Sequence, residues 1–219
     1  MSDVTATSGV PIWLVGGSIR SCLLKDRPQP KDLDCVVEEG YSTVLRLLSR
    51  DSRVEQKGER SHSLYYPNGS HIDLFHPKSF FTRPATVSAL LETFDISANA
   101  IALGIHDQTV LDPLSGIADS ERFLVRPIPA RWRASSNLQA RHLLLRLVDL
   151  FRRQPLLTLT DSQIVREKRN ALLGGSWRAS FKCHGLLRYD AVRTLDELLS
   201  RAATGASYQA PDIAGNPMT

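Results

Sequence analysis

Cysteine is scarce in this chain: Cys22, Cys35 and Cys183 among 219 residues, an odd number with no Cys-x-x-Cys pair. That argues against a disulfide framework or a cysteine-built zinc site and predicts a reducing compartment. Long apolar runs are missing as well; none approaches the roughly 18 residues of a membrane span. The N-terminal MSDVTATSG carries an acid where a secretory signal carries basic residues, and no apolar stretch follows it. These absences predict a soluble, cytoplasmic protein. Walker A, His-Glu-x-x-His and Gly-x-Ser-x-Gly patterns are also lacking, which removes the commonest NTPase, zincin and hydrolase chemistries. His62, His71 and His76 lie near one hairpin without helix-spaced partners, so no zinc site is read there.

What is present is an ordinary globular composition, 42% hydrophobic and 23% charged, with an uneven charge distribution. Residues 1–110 carry 11 Lys and Arg against 13 Asp and Glu, whereas residues 111–219 carry 16 against 10, and 14 of those 16 are arginine. An acidic front that holds cations and a basic back that holds a polyanion fit this split, as does simple replacement of lysine by arginine. In the front half, Ile12–Val15 reads as a buried strand ended by Gly16-Gly17, with Ser18 capping a helix over Ile19–Leu24 that buries Leu23 and Leu24. Leu33, Cys35 and Val37 alternate with Asp32, Asp34 and Val36 as in a strand, and Tyr41–Ser49 is an amphipathic helix. Ser63–Tyr66 and His71–Phe75 flank an Asn68-Gly69 hairpin turn. Thr86–Leu91 reads as helix, Ile96–Ile105 as strand or buried helix, and Val110–Pro113 and Leu124–Arg126 as short strands around a turn. The front half is therefore α/β or α+β.

The back half reads as helical: Asn137–Arg153 with a core face of Leu138, Leu144, Leu145, Val148 and Phe151, a helix opened by a Thr160/Gln163 capping box and closed by Gly174-Gly175, and a last helix over Leu186–Ala203. Residues 1–9 and 204–219 are expected as flexible tails, with one domain over 10–128 and a small helical one over 129–203.

Three carboxylates carry the chemistry. Asp32 and Asp34 are two apart on one strand and share a face, and Asp73 lies on the far arm of the hairpin. Like charges side by side repel unless solvated or shared by cations, and a pair of Mg²⁺ ions resolves the conflict. Alone, Asp-x-Asp equally describes an exposed strand edge, and Gly-Gly an ordinary turn. Together they make sense: Gly16 and Gly17 allow close backbone approach to a phosphate, the helix start at Ser18 offers N–H groups, and Arg20 adds a charge-assisted bond. A phosphate cradle followed by a cation-binding carboxylate pair is what nucleotide transfer from a triphosphate needs.

Leu14-Val15-Gly16-Gly17-Ser18-Ile19-Arg20 followed by Lys31-Asp32-Leu33-Asp34 resembles the head domain of class II CCA-adding enzymes and bacterial poly(A) polymerases, within the DNA polymerase β nucleotidyltransferase superfamily. Three later segments are similar to that family in the same order: His71-Ile72-Asp73-Leu74, Asp95-Ile96-Ser97-Ala98-Asn99-Ala100-Ile101-Ala102, and Leu111-Asp112-Pro113-Leu114-Ser115-Gly116. The resemblance spans residues 12–126. It departs from the family at Ser21, where an aspartate is usual, and at Thr93 and Phe94, in place of two arginines. It implies an α+β fold, a mixed sheet with flanking helices followed by a small all-helical domain. It also implies Asp32, Asp34 and Asp73 as catalytic residues, with Asp32 and Asp34 holding two Mg²⁺ (or Mn²⁺) ions. Gly16, Gly17, Ser18, Arg20, Asp95 and Asn99 would bind an NTP, ATP foremost, and the acceptor would be an RNA 3′ end, tRNA-like in kind.

His142, Arg146, Asp149 and Arg153 share one face of the long helix, a phosphate-contacting stripe or a solvated face; Arg141, Arg146 and Arg153 are the RNA-binding candidates. Arg131-Trp132-Arg133 clamps a base or packs a junction. The departures leave two alternatives: nucleotide transfer to a protein or small molecule, or a non-catalytic head domain that binds RNA or a partner.

Overall fold

Period-two alternation builds the sheet. In the computed structural model, which describes residues 2–24, 32–80, 86–154, 156–173 and 188–204, Leu33 and Cys35 face one way and Asp32, Asp34 and Val36 the other. The elements in chain order are α1 (Ser2–Ser8), β1 (Trp13–Val15), α2 (Gly17–Leu24), β2 (Asp32–Val36), α3 (Tyr41–Leu48), β3 (Arg53–Gly58), β4 (Ser61–Tyr65), β5 (His71–Phe75) and α4 (Val87–Leu91). There follow β6 (Ala102–Gly104), β7 (Val110–Leu111), α5 (Gly116–Glu121), β8 (Leu124–Val125), α6 (Pro129–Ala134), α7 (Asn137–Arg153), β9 (Thr158–Leu159), α8 (Ser162–Leu173) and α9 (Arg188–Thr204). Seven strands form a mixed sheet in the order β3-β4-β5-β2-β1-β6-β7, with β2 and β5 parallel and the other neighbours antiparallel.

One face of the sheet buries Cys35, Leu64, Ile72 and Leu74 against Tyr41, Val44 and Leu48 of α3. The other buries Val15, Val36 and Ala102 against Val87, Leu90 and Leu91 of α4. Beyond the reach of α4, that second face is open, and Asp32 and Asp34 stand there. A third apolar cluster joins α7, α8 and α9 and takes in Leu24, Ile96, Ala98 and Val125, so the helical half packs directly on the sheet half. This is an α+β arrangement, a mixed sheet with flanking helices followed by helices.

Several expectations are corrected. Residues 2–8 are helical, not a loose tail: Thr5 is buried and Val4 packs on the cluster under α3, burial that outweighs the weak propensity of a small polar run. Gly16 at φ 74° turns the chain one residue earlier than read, so α2 starts at Gly17 and Ser18 lies within it, donating its hydroxyl to the Val15 carbonyl at 3.3 Å. Leu23 is exposed, because the 3.6-residue period gives the core side to Leu24. Leu138 is also exposed, at 59%, in a first turn of α7 that precedes the core. The reciprocal capping box is made by Ser136 and Gln139 at the start of α7. Thr160 instead donates to the Val125 carbonyl, beside a β8–β9 pair that local pattern did not announce. The ambiguous 96–105 stretch is a single 3-10 turn over Ser97–Asn99 followed by β6. The expected helix stop at Gly174-Gly175, residues 186–187 of the last helix and the tail beyond residue 204 lie outside the described residues. Among the described residues, no helix is long and apolar enough to cross a membrane.

Candidate nucleotidyl-transfer site

Strand register assembles the carboxylates. Asp34 pairs across the parallel β2–β5 interface with Asp73, and Asp32 with His71. On the outer side of β5, Ser63 faces Asp73 and Tyr65 faces His71. The open face of the sheet thus carries successive rungs, Tyr65–His71–Asp32 and Ser63–Asp73–Asp34–Val15. Asp73 is held from both sides: the buried Ser63 hydroxyl donates to Oδ1, and Nε2 of His71 lies 3.3 Å from Oδ2. Nδ1 of His71 lies 2.9 Å from Asp32 Oδ1, so one imidazole spans the two carboxylates.

Asp34 has the most perturbed environment of the three. Burial first, and the Asp73 carboxylate second, push its pKa up to about 6, while Arg146 and His71 pull the other way. A partly buried carboxyl beside another carboxylate is unfavourable by itself and favours a cation. Among the described residues no three His, Cys, Asp or Glu side chains converge as a closed metal site. An open set of oxygen donors fits Mg²⁺, which keeps waters and takes one or two carboxylates together with substrate phosphates.

The glycine turn is shaped around Asp34. A Cβ on Gly16 would lie 3.1 Å from Asp34 Oδ2, at a φ that L side chains rarely adopt, whereas a Cβ on Gly17 would meet only the flexible end of Arg20, at 3.5 Å. Gly16→Ala is therefore expected to destabilise the fold by about 1 kcal/mol and, if the site transfers nucleotides as the sequence resemblance implies, to lower that rate at least tenfold. Gly17→Ala should leave the unfolding free energy within about 1 kcal/mol of the parent and, on the expectation of nucleotide transfer, raise only the KM for NTP; urea unfolding and initial rates on the pair check this.

Across the cleft a relay ties three elements together. Arg20 Nη1 donates to Asn99 Oδ1 at 2.8 Å, Asn99 Nδ2 donates to Asp95 Oδ1 at 2.7 Å, and Arg146 Nη1 lies 3.5 Å from Asp95 Oδ2. Asp95 is anchored through its own carbonyl, which accepts from Trp132 Nε1 at 2.7 Å and from the Ile128 amide at 3.0 Å. Trp132 is 0% exposed, so it packs the junction and does not present a stacking face. The cleft between carboxylates and relay has a volume of about 710 Å³; Gly16, Gly17, Ser18, Arg20, Asp32, Asp34, Asp73, Asp95 and Asn99 all line it. Arg146 and Arg153 line its α7 wall, with Arg153 ion-paired to Asp149 at 2.9 Å. Arg141 is not among the lining residues, lying about 120–140° round the α7 helix from Arg153 and Arg146.

The departures from the usual motifs have local uses. Ser21 is buried at the cleft edge, the Thr93 hydroxyl donates to the Leu90 carbonyl at 2.7 Å, and Phe94 packs on the α4 cluster. Ser63 and His71 escaped the sequence reading. The Asn-Gly turn does signal them, since it sets Ser63 opposite Asp73, and His71 stands two residues before Asp73 on the same face.

Residues 12–126 match the family described as the poly A polymerase head domain. Over 134 residues the chain is 29% identical to a CC-adding tRNA nucleotidyltransferase of Geobacter sulfurreducens, a match covering 59% of this chain and 30% of that protein. Its fold is similar to a CCA-adding enzyme solved with CTP, at TM-score 0.66 and 16% identity over 95% of this chain and 52% of that one. A tRNA nucleotidyltransferase complexed with a primer tRNA and an incoming ATP analog gives TM-score 0.66 and 19% identity over 100% and 64%. The Thermotoga maritima CCA-adding enzyme complexed with tRNA gives 0.62 and 16% over 96% and 52%. At such identities the likeness to the solved structures is one of fold. The chain spans less than two thirds of the length of each of these relatives.

Proposed function

Because the chain belongs to the poly A polymerase head-domain family, we propose that it is a metal-dependent nucleotidyltransferase. It moves a nucleoside monophosphate from an NTP, ATP foremost, to the 3′ hydroxyl of an RNA, a tRNA-like end by analogy with relatives whose solved complexes contain tRNA. The observation that carries the reading is Asp34, a carboxyl raised to about 6, facing Asp73 and packed under the Gly16 turn.

In this reading Asp32 and Asp34 hold two Mg²⁺ ions (Mn²⁺ serving in their place), which supply an activated hydroxyl and a neutralised pyrophosphate. The first N–H groups of α2, at Gly17 and Ser18, have no intrahelical carbonyl to bond and receive the triphosphate, with Arg20 beside them. Asp95 and Asn99, fixed by the Arg20 and Trp132 bonds, line the nucleoside pocket. Asp73, held by Ser63 and His71, orients the acceptor hydroxyl. The acceptor hydroxyl gives up its proton to solvent, its oxygen forms a bond to the α-phosphorus as the bond from that phosphorus to the bridging oxygen breaks, and pyrophosphate leaves. Arg146 and Arg153 on the α7 wall are the RNA contacts in the cleft; Arg141 does not line the cleft and would serve RNA only outside it.

Purified protein incubated with Mg²⁺, each α-labelled NTP and total RNA tests this. Label is expected in RNA with the parent and not with Asp32→Ala/Asp34→Ala, ATP being the preferred donor. Label in protein or small molecules, and none in RNA, would reassign the acceptor. No label anywhere, with no Mg²⁺–NTP binding, would leave a non-catalytic RNA- or partner-binding domain.

A further inference from the structure

In-line displacement needs the attacking oxygen and the leaving pyrophosphate on opposite sides of the α-phosphorus. Sheet order lays those sides out in a line. The Gly16 turn follows β1, the metal-site carboxylates are on β2, Asp73 is on β5, and β4 and then β3 continue to the edge. With the triphosphate tail at the Gly16–Arg20 turn, the acceptor strand must come in across β4 and β3.

That edge is built for an anion. Lys57 of β3 lines the cleft beside Ser61 and Ser63 of β4. At the rim the Arg53 guanidinium lies 4.7 Å over the Tyr65 ring, and that ring stacks on His71 at 5.3 Å and 21°. Arg53 is thereby ordered on the same face as Asp32, which His71 contacts at 2.9 Å. Four residues along a strand separate Arg53 and Lys57 by about 13 Å, so they meet different phosphates, not one. We infer that the β3–β4 hairpin is the acceptor track, on which Arg53 and Lys57 contact backbone phosphates of a single-stranded RNA 3′ end; the inference rests on the nucleotidyltransferase reading.

Glu55 lies between the two cations, 2.5 Å from Lys57, with its other oxygen accepting from the Tyr65 hydroxyl at 3.2 Å. Both partners of the Lys57–Glu55 pair are 46% exposed, so exchanging the carboxylate for a phosphate breaks no buried pair. Arg146 and Arg153 face the RNA from the opposite, α7 wall of the cleft, where Arg146 meets Asp95 and Arg153 meets Asp149, and the track adds the contacts on the sheet side. Phosphate contacts hold the strand without reading bases.

The test measures binding of a short 5′-labelled single-stranded RNA against salt, together with KM for RNA and for ATP, in the parent, R53A/K57A and E55Q. For R53A/K57A the expected results are an RNA KM about tenfold higher, a salt dependence shallower by about 1.4 log units per log unit of salt, and an unchanged ATP KM. E55Q should bind RNA about twofold more tightly, a gain that damage to the fold cannot imitate. An unchanged RNA KM and salt slope in R53A/K57A, or equal losses for RNA and ATP, would overturn the track. The binding slope is read without catalysis, so it decides the track even where the parent labels no RNA, the result that defeats the nucleotidyltransferase reading.

Discussion

Asparagine in place of Asp34 is expected to abolish nucleotide transfer and to make the metal-free protein more stable above pH 6. The folded carboxyl ionises at about 6, against 3.8 for the free group, because burial and the neighbouring Asp73 oppose its charge. Stability tied to the protonated form is complete below pH 4, declines as the pH rises through 6, and stays lost above it. The loss is about 2 kcal/mol, less than the full shift implies because the cleft is open to solvent. Asparagine cannot ionise, so its stability advantage over the parent should grow from near zero at pH 4 to that value at pH 7. Urea unfolding of both proteins in EDTA across this range measures it, and parallel curves would remove Asp34 as a destabilised ligand. Transfer should fall at least about a thousandfold, since a carboxamide is a poor ligand for a hard cation. Mg²⁺ with NTP should raise the midpoint of the parent and leave the variant unmoved. Such opposed effects on stability and rate would mark Asp34 as a group kept for chemistry at the expense of the fold.

What could be read from the sequence was what local periodicity encodes. The strand into Gly16-Gly17, the alternation around Asp32 and Asp34, the Asn68-Gly69 hairpin and the long helix from Asn137 to Arg153 each carry their pattern within a few residues. Strand β3 does not: Arg53-Val54-Glu55-Gln56-Lys57 has a single apolar residue, and that one is exposed, because an edge strand takes its conformation from β4 and not from a core of its own. The β8–β9 pair is equally silent, two residues on each side joined across more than thirty positions of chain. Helix α5 depends on Asp112, whose carboxylate accepts from the Gly116 and Ile117 amides at 2.6 and 3.0 Å, a cap visible only once the turn is folded. At the site, sequence named the residues of the resemblance, and the fold supplied their holders. Register sets His71 and Ser63 against the carboxylates, and burial fixes Trp132 beneath Asp95. Helix phase turns Arg146 and Arg153 toward the cleft and Arg141 away from it.

Alanine at Gly116 is expected to destabilise the protein by about 2 kcal/mol and to raise the KM for NTP about tenfold with no change in the KM for RNA. A Cβ there would lie 2.1 Å from the Ser97 carbonyl oxygen and 2.8 Å from its carbon, backbone atoms with nowhere to move. Glycine to alanine within a helix ordinarily stabilises by about 0.5–1 kcal/mol, so the clash must first overcome that gain. Relief requires α5 to separate from the 95–99 segment, and that segment is bound to α5 at several points. The Ser97 hydroxyl donates to Asp119 at 2.5 Å, Asp119 pairs with Arg126 at 2.9 Å, and the Ser97 amide donates to the Arg126 carbonyl at 2.9 Å. Shifting Ser97 moves Asp95 and Asn99 on either side of it, and with them the bond that aligns Arg20. The β3–β4 edge lies at the far end of the sheet from these atoms, so the acceptor side should be spared. Urea unfolding and initial rates with each substrate varied in turn separate the two effects. A tenfold rise confined to NTP would show that the Asp112–Gly116 turn acts as the buttress of the nucleotide pocket, whereas equal losses for both substrates would reduce Gly116 to a purely structural residue.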